Sequence, residues 1–176
     1  MAHTAAHLVD HVLPKGVGTR QWVLTLPFEL RLRAAYNPEL CGALLRIFVK
    51  TLSDWQCSRA REQGISSPQW GAVTVVQRFG SALQLTPHFH TIGPDAVFSV
   101  PAGAEHAIAH ELSPPTDRDV EELVERVHAK VLGLLRRRGL LVDDDADYDP
   151  DSSCVDQKFF VGEAPRGGRA SPPPPR

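Results

Sequence analysis

Short runs of β-branched and aromatic residues predict the strands of this chain. The runs RQWVLTLP (residues 20–27) and GAVTVVQRFG (residues 71–80) are short and end at proline or glycine, which is typical of strands. The run PHFHTIGPDAVFSV (residues 87–100) predicts two more strands, joined at the turn-forming Gly93-Pro94-Asp95. A further strand is expected near residues 106–112.

Apolar residues that recur with a period of 3.6 predict the helices. Short helices are expected at residues 5–13 and 28–35. A long helix begins at Asn37, an N-cap residue, with Pro38 at its first position, and it ends before Gly64.

The clearest helix follows Thr116, whose spacing to Asp119 is that of a capping box. Acidic residues fill its first turn, arginines fill its last turn, and Gly139 ends it. His128 lies off the apolar stripe of this helix and is therefore expected on the surface rather than as a ligand.

Strands that cluster between helices indicate an α+β fold, in which an antiparallel sheet carries helices on one face. We expect the sheet to contain residues 20–26, 73–78 and 88–92. The helices that begin at Asn37 and Asp117 are expected to pack on it.

The character of the chain changes after Val142. Residues 1–142 have the length and apolar content of one domain. Residues 143–176 begin with the acidic run DDDADYDPD and end in a proline-rich run, so this tail is predicted to be mostly disordered.

Composition and charge narrow the class of protein. The chain is 42% hydrophobic and 23% charged, as globular proteins are, and no apolar run approaches the roughly 18 residues of a membrane span. Its first residues lack the features of a signal peptide, so we expect a cytoplasmic protein without a membrane partner. Between Lys15 and Arg78 there are 9 basic and 4 acidic residues, which suits either nucleic-acid phosphates or an ordinary solvated surface.

The cysteines give no sign of a disulfide framework or of a zinc site. Cys41, Cys57 and Cys154 are odd in number and far apart, and none belongs to a CxxC pair. Cys41 is expected to be a buried thiol, because it sits in an apolar helical stretch.

Two histidines carry the candidate chemistry. His88 and His90 flank Phe89 in a predicted strand, where residues i and i+2 point to the same face. Two neighbouring imidazoles can share a cation, and they can equally be two polar residues on a wet face. The spacing alone does not decide between a shared cation site and two solvated polar residues.

Three segments carry a family resemblance: TRQWVLTLPFELR (residues 19–31), GAVTVVQRFGSALQLTPHFHTIGPDAVF (residues 71–98) and PPTDRDVEELVERVHAKVLGLLRRRGLL (residues 114–141). They resemble rolling-circle transposases of bacterial insertion sequences, the two-tyrosine branch of the HUH (histidine–hydrophobic–histidine) endonucleases. The resemblance implies a ferredoxin-like or RRM-like sheet and a function in DNA transposition and recombination. It also implies that a tyrosine attacks single-stranded DNA, which leaves a 5′-phosphotyrosine and a free 3′-OH.

The same resemblance implies a site for Mg²⁺ or Mn²⁺ at His88 and His90. Because two imidazoles rarely suffice for a hard cation, an oxygen ligand is expected to complete the site. Gln77 is favoured over Asp95, since Asp95 has an alternative role as a turn residue. Arg78 is expected to contact the DNA.

The sequence departs from the family in its zinc and tyrosine segments. It has no CxxC pair, and its only tyrosines are Tyr36 and Tyr148. Tyr36 is expected to be packed, and Tyr148 is disfavoured as a nucleophile because neighbouring carboxylates repel phosphate. We therefore expect a truncated, catalytically incomplete copy that binds single-stranded DNA without covalent cleavage.

Two alternatives remain. One is a metal-dependent hydrolase of another fold, although an amidohydrolase barrel needs a longer chain. A metallo-β-lactamase-like site needs an aspartate–histidine pair after the histidines, where this chain has Thr91-Ile92-Gly93. The other alternative is a structural remnant that binds no metal.

Overall fold

The computed structural model describes residues 7, 11–80, 84–141 and 160–163, the last four as backbone. The helices of this part of the chain are α1 (Phe28–Tyr36), α2 (Pro38–Glu62) and α3 (Asp117–Arg137). The strands are β1 (Thr19–Thr25), β2 (Val73–Phe79), β3 (Leu85–Pro94), β4 (Ala96–Ser99), β5 (Ile108–Glu111) and β6 (Phe160–Glu163).

Four strands form an antiparallel sheet in the order β2-β3-β1-β6. The central pairing places Leu24 opposite Phe89, which in turn lies opposite Val76. Strands β4 and β5 form a separate two-stranded antiparallel sheet. The predicted α+β architecture is confirmed, with the three expected strands side by side in one sheet.

Strand β6 lies inside the segment that was predicted to be mostly disordered. Its four residues pair with β1 from Trp22 to Thr25. The rest of residues 143–176, and most of the helix predicted at residues 5–13, lie outside the described residues.

One face of the sheet is buried by the helices. Trp22, Leu24 and Phe89 are at most 1% exposed and join one apolar cluster with Phe48 of α2 and Val127 of α3. Full burial of side chains of this size stabilises a fold by about 1.5 to 3 kcal/mol each. Because alternate residues of a strand face opposite sides, the intervening residues of β1 and β3 lie on the other face, away from α2 and α3.

The predicted helix caps are present. Asn37 Oδ1 accepts a hydrogen bond from the Leu40 amide at 2.9 Å. Thr116 and Asp119 form a reciprocal capping box, with contacts of 3.2 and 2.7 Å. Gly139 has φ +63° just past α3, a left-handed conformation that favours glycine.

Two contacts fix the end of β3. The Trp70 indole lies over Gly93 and donates a hydrogen bond to the Pro94 carbonyl at 3.0 Å. Asp95, at the bend before β4, accepts hydrogen bonds from Arg20 at 2.9 and 3.2 Å. No helix in the described part of the chain is long and apolar enough to cross a membrane.

Candidate metal centre

The face of the sheet opposite α2 and α3 carries the candidate site. Side chains of β1, β3 and β2 alternate onto it in register, as the pairings of Thr25 with His88 and of His88 with Gln77 show. The residues on this face are Gln21, Val23, Thr25, His88, His90, Ile92, Val73, Val75 and Gln77. All are half-buried or exposed, in contrast to the buried residues between them on β1 and β3.

His88 and His90 project side by side from β3. Their ring centroids are 6.4 Å apart and the ring planes cross at 68°. Phe89, between them, is fully buried on the helical side. The predicted shared face of the two histidines is therefore confirmed, which leaves the question of what holds the rings.

One nitrogen of each ring has a partner on β1. Nδ1 of His88 lies 3.2 Å from Thr25 Oγ1, and Nδ1 of His90 lies 2.8 Å from Gln21 Nε2. Among the described residues, no side chain bonds Nε2 of either ring. Both imidazoles are thus held through Nδ1 by polar side chains of β1.

The amide of Gln21 controls which form His90 takes. An amide NH₂ pointing at Nδ1 makes that nitrogen the acceptor and leaves the proton on Nε2. The reversed amide, whose oxygen accepts from Nδ1–H, leaves the Nε2 lone pair available to a cation. A half-turn of one side chain therefore switches His90 between a hydrogen-bond donor and a ligand.

The surroundings of His88 favour its neutral form. Burial lowers the pKa of His88 below its ordinary value, and the positive charges that His90 and Arg31 bring nearby lower that pKa further. A neutral imidazole is the form that binds a cation. The lowered pKa therefore favours the neutral ring of His88 at neutral pH.

Gln77 and Asp95, the two candidates for a third ligand, lie in different places. Gln77 is directly opposite His88 on the same face, and its Nε2 donates to the Phe79 carbonyl at 3.0 Å. Asp95 is five residues beyond His90, roughly 16 Å along an extended strand. Its carboxylate is held by Arg20, whose side chain is 2% exposed. Of the two, only Gln77 lies beside the histidines.

Arg78, the predicted DNA contact, lies where the register of β2 with β3 shifts between Gln77 and Phe79, so its neighbours rather than strand alternation indicate that it lies toward α2. The effect of its guanidinium on Cys41 of α2 supports this placement, because Arg78 lowers the pKa of the Cys41 thiol while burial raises it by more. Cys41 was expected to be a buried thiol and is half-buried, whereas Cys57 is buried.

The expectation that Tyr36 is packed was wrong. Tyr36 is 78% exposed. Helix α1 buries Leu30 and Ala34, which are four residues apart, and Tyr36 at its last position lies off that stripe. Tyr148 lies outside the described residues.

A divalent cation bound by both histidines would require the two rings to approach each other. Two imidazoles that bind one ion at right angles, with each nitrogen about 2.1 Å from it, have ring centroids about 4.5 Å apart. The observed 6.4 Å requires rotation of both side chains toward Gln77. The described residues contain no cluster of three histidine, cysteine or carboxylate ligands, so the third ligand of such a site would have to be of another kind, such as the amide oxygen of Gln77.

Sequence reasoning missed the side chains that support the histidines. Gln21 and Thr25 alternate along β1, and that period-two pattern was the available signal. Arg31, in the first half of α1, is near enough to His88 to affect its pKa, and its Nε donates to the Leu26 carbonyl at 2.9 Å. Arg31 thus adds a positive charge beside the open face.

No protein-family model, curated protein or solved structure matches this chain.

Proposed function

We propose that this chain is a DNA-binding domain of the transposase type, related to the HUH endonucleases, and that its open sheet face binds single-stranded DNA. The observation that carries the proposal is the pair of histidines on a central strand, each held through Nδ1 by a polar side chain of β1. A solvated polar face that binds no ligand would not require both imidazole rings to be oriented in this way.

His88, His90 and Gln77 would hold Mg²⁺ or Mn²⁺, which would offset the negative charge of a backbone phosphate. The protein itself supplies the orientation. Thr25 and Gln21 each contact Nδ1 of one ring, and burial lowers the pKa of His88, which favours its neutral ring. Arg31 would supply a second positive charge for a single-stranded DNA bound across this face, since a guanidinium matches phosphate geometry.

Covalent cleavage requires a tyrosine held in line with the phosphate. Tyr36 occupies the last, outward-facing position of α1, and the carboxylates that flank Tyr148 in sequence oppose the approach of a phosphate. We therefore propose a protein that binds single-stranded DNA and does not form a covalent adduct with it.

The test is to incubate the protein with a labelled single-stranded oligonucleotide, with Mn²⁺ or with EDTA. We expect Mn²⁺ to tighten binding to the wild type on a native gel, and denaturation to release free oligonucleotide. The variant His88→Ala/His90→Ala should bind equally with and without Mn²⁺.

The matched control is His106→Ala/His128→Ala, which removes two exposed histidines and should keep the Mn²⁺ effect. An equal Mn²⁺ effect in the wild type and in His88→Ala/His90→Ala would end the proposal. A covalent adduct abolished by Tyr148→Phe would instead make the acidic segment part of an active site.

A further inference from the structure

A basic groove runs between α2 and α3 on the solvent side of the helical layer. Its volume is about 620 Å³. Five cationic side chains line it. Helix α2 contributes Arg46 and Lys50, and α3 contributes Lys130 and Arg137. The fifth is Arg138, which directly follows α3. The other lining residues are alanine, glycine, isoleucine and leucine.

The positive charge of this basic groove is only partly neutralised within the protein. Lys50 and Lys130 share Asp54, with nitrogen–oxygen distances of 2.9 and 3.9 Å. Arg46, Arg137 and Arg138 form no ion pair with the described carboxylates, and no carboxylate lines the groove. Three guanidinium groups therefore face solvent from two helices.

Helix electrostatics explain part of this arrangement. Arginines at the C-terminal end of α3 offset the negative end of its dipole. Arg46 and Lys50 lie in the first half of α2, well away from its C-terminal end. At a rise of about 1.5 Å per residue, Arg46 and Lys50 are about 6 Å apart along α2. They face Lys130 and Arg137, which are about 10 Å apart along α3. The groove thus has a row of cations on each side.

The lining identifies the class of ligand. Sites for single-stranded nucleic acid combine positive charge with aromatic side chains on which bases stack, and this groove has no aromatic residue. A duplex keeps its bases stacked inside and presents phosphates and sugars. Its phosphates would meet the two rows of cations, and its sugars would meet the small apolar residues between them.

We propose that the basic groove binds the sugar–phosphate backbone of double-stranded DNA. This surface is built from α2 and α3, on the side of the molecule opposite the histidines, and it needs no metal. Duplex binding at the groove can therefore be tested independently of the candidate metal centre.

The test is fluorescence anisotropy with a short labelled duplex in EDTA, over a series of salt concentrations. Each phosphate contact contributes about 0.9 to the slope of log affinity against log salt, so Arg46→Gln/Arg137→Gln/Arg138→Gln should lower the slope by about 2 to 3. At about 0.1 M salt we expect affinity to fall on the order of 100-fold. A second variant, Arg46→Gln/Lys50→Gln, spares the end of α3 and should give a smaller loss in the same direction.

The control variant is Arg61→Gln/Arg118→Gln/Arg126→Gln, which removes three exposed arginines from the same two helices outside the groove. It should retain most of the affinity, and circular dichroism should show that all variants are folded. Equal losses in the groove and control variants would overturn the proposal, because only net charge would then matter. Tighter binding of a single-stranded oligonucleotide at the groove would also overturn the proposal. So would a wild type that does not bind duplex, if the variant Asp143→Asn/Asp144→Asn/Asp145→Asn does bind it. In that last case the acidic segment would be the occupant.

Discussion

Gly93→Ala is expected to destabilise the end of the strand that carries the two histidines. A Cβ atom at Gly93 would lie 2.2 Å from Trp70 Cζ2, with further contacts of 2.9 and 3.0 Å to the same ring. Ordinary carbon contacts are about 3.5 to 4.0 Å, so the indole must move by more than an ångström.

Displacement of Trp70 has two costs. The ring packs against both apolar clusters of the domain, and forced repacking of this kind costs about 1 to 3 kcal/mol. Its hydrogen bond to the Pro94 carbonyl is worth about 1 kcal/mol more. We therefore expect a loss of roughly 2 to 4 kcal/mol in the free energy of unfolding.

Urea unfolding followed by far-UV circular dichroism measures this loss. Gly71→Ala is the matched control, because a Cβ atom there meets nothing within 4 Å, and its unfolding free energy should stay close to the wild-type value. In a Trp70→Phe background, which removes most of the clashing atoms, Gly93→Ala should cost much less. Equal effects of Gly93→Ala and Gly71→Ala would show that Trp70 does not oppose a side chain at position 93.

Charged groups affect both the titration of His88 and the stability of the domain. NMR titration of His88 should give a pKa below the ordinary value of 6.5, and Arg31→Gln should raise this pKa because a neighbouring positive charge is removed. Because the folded-state pKa is depressed, the unfolded chain takes up the proton first, so the free energy of unfolding should fall as pH drops through about 6.5. His88→Ala should remove that part of the fall. Asp95→Ala should cost about 3 kcal/mol in urea unfolding, because it removes the ion pair with the buried Arg20 side chain, and calorimetry should show unchanged Mn²⁺ affinity in the folded protein.

Local signals were enough to predict most of the fold. Strands β1 to β3 carry β-branched runs bounded by proline or glycine, and α2 and α3 carry their caps next to their apolar stripes. These features depend on neighbours within a few residues, so the sequence displays them directly. The shared face of His88 and His90 follows from the same local rule.

Features that depend on distant pairing were not predicted. Strand β6 is a short apolar run within an acidic and proline-rich segment, and it pairs with β1 about 135 residues earlier in the chain, a separation that propensity does not register. The register that sets Thr25 beside His88 is equally non-local. The buried contact of Arg20 with Asp95 joins residues 75 positions apart.

Calorimetric titration of the protein with Mn²⁺ would show whether His88 and His90 bind one divalent cation. One Mn²⁺ should bind per chain, and His88→Ala/His90→Ala should abolish the signal. Gln77→Ala should weaken binding through loss of the amide oxygen, whereas the control His106→Ala/His128→Ala should leave it unchanged. Affinity should fall as pH drops below the ordinary histidine range, since protons compete for the imidazoles. No binding to the wild type, or equal binding to the wild type and to His88→Ala/His90→Ala, would contradict a cation site at these two histidines.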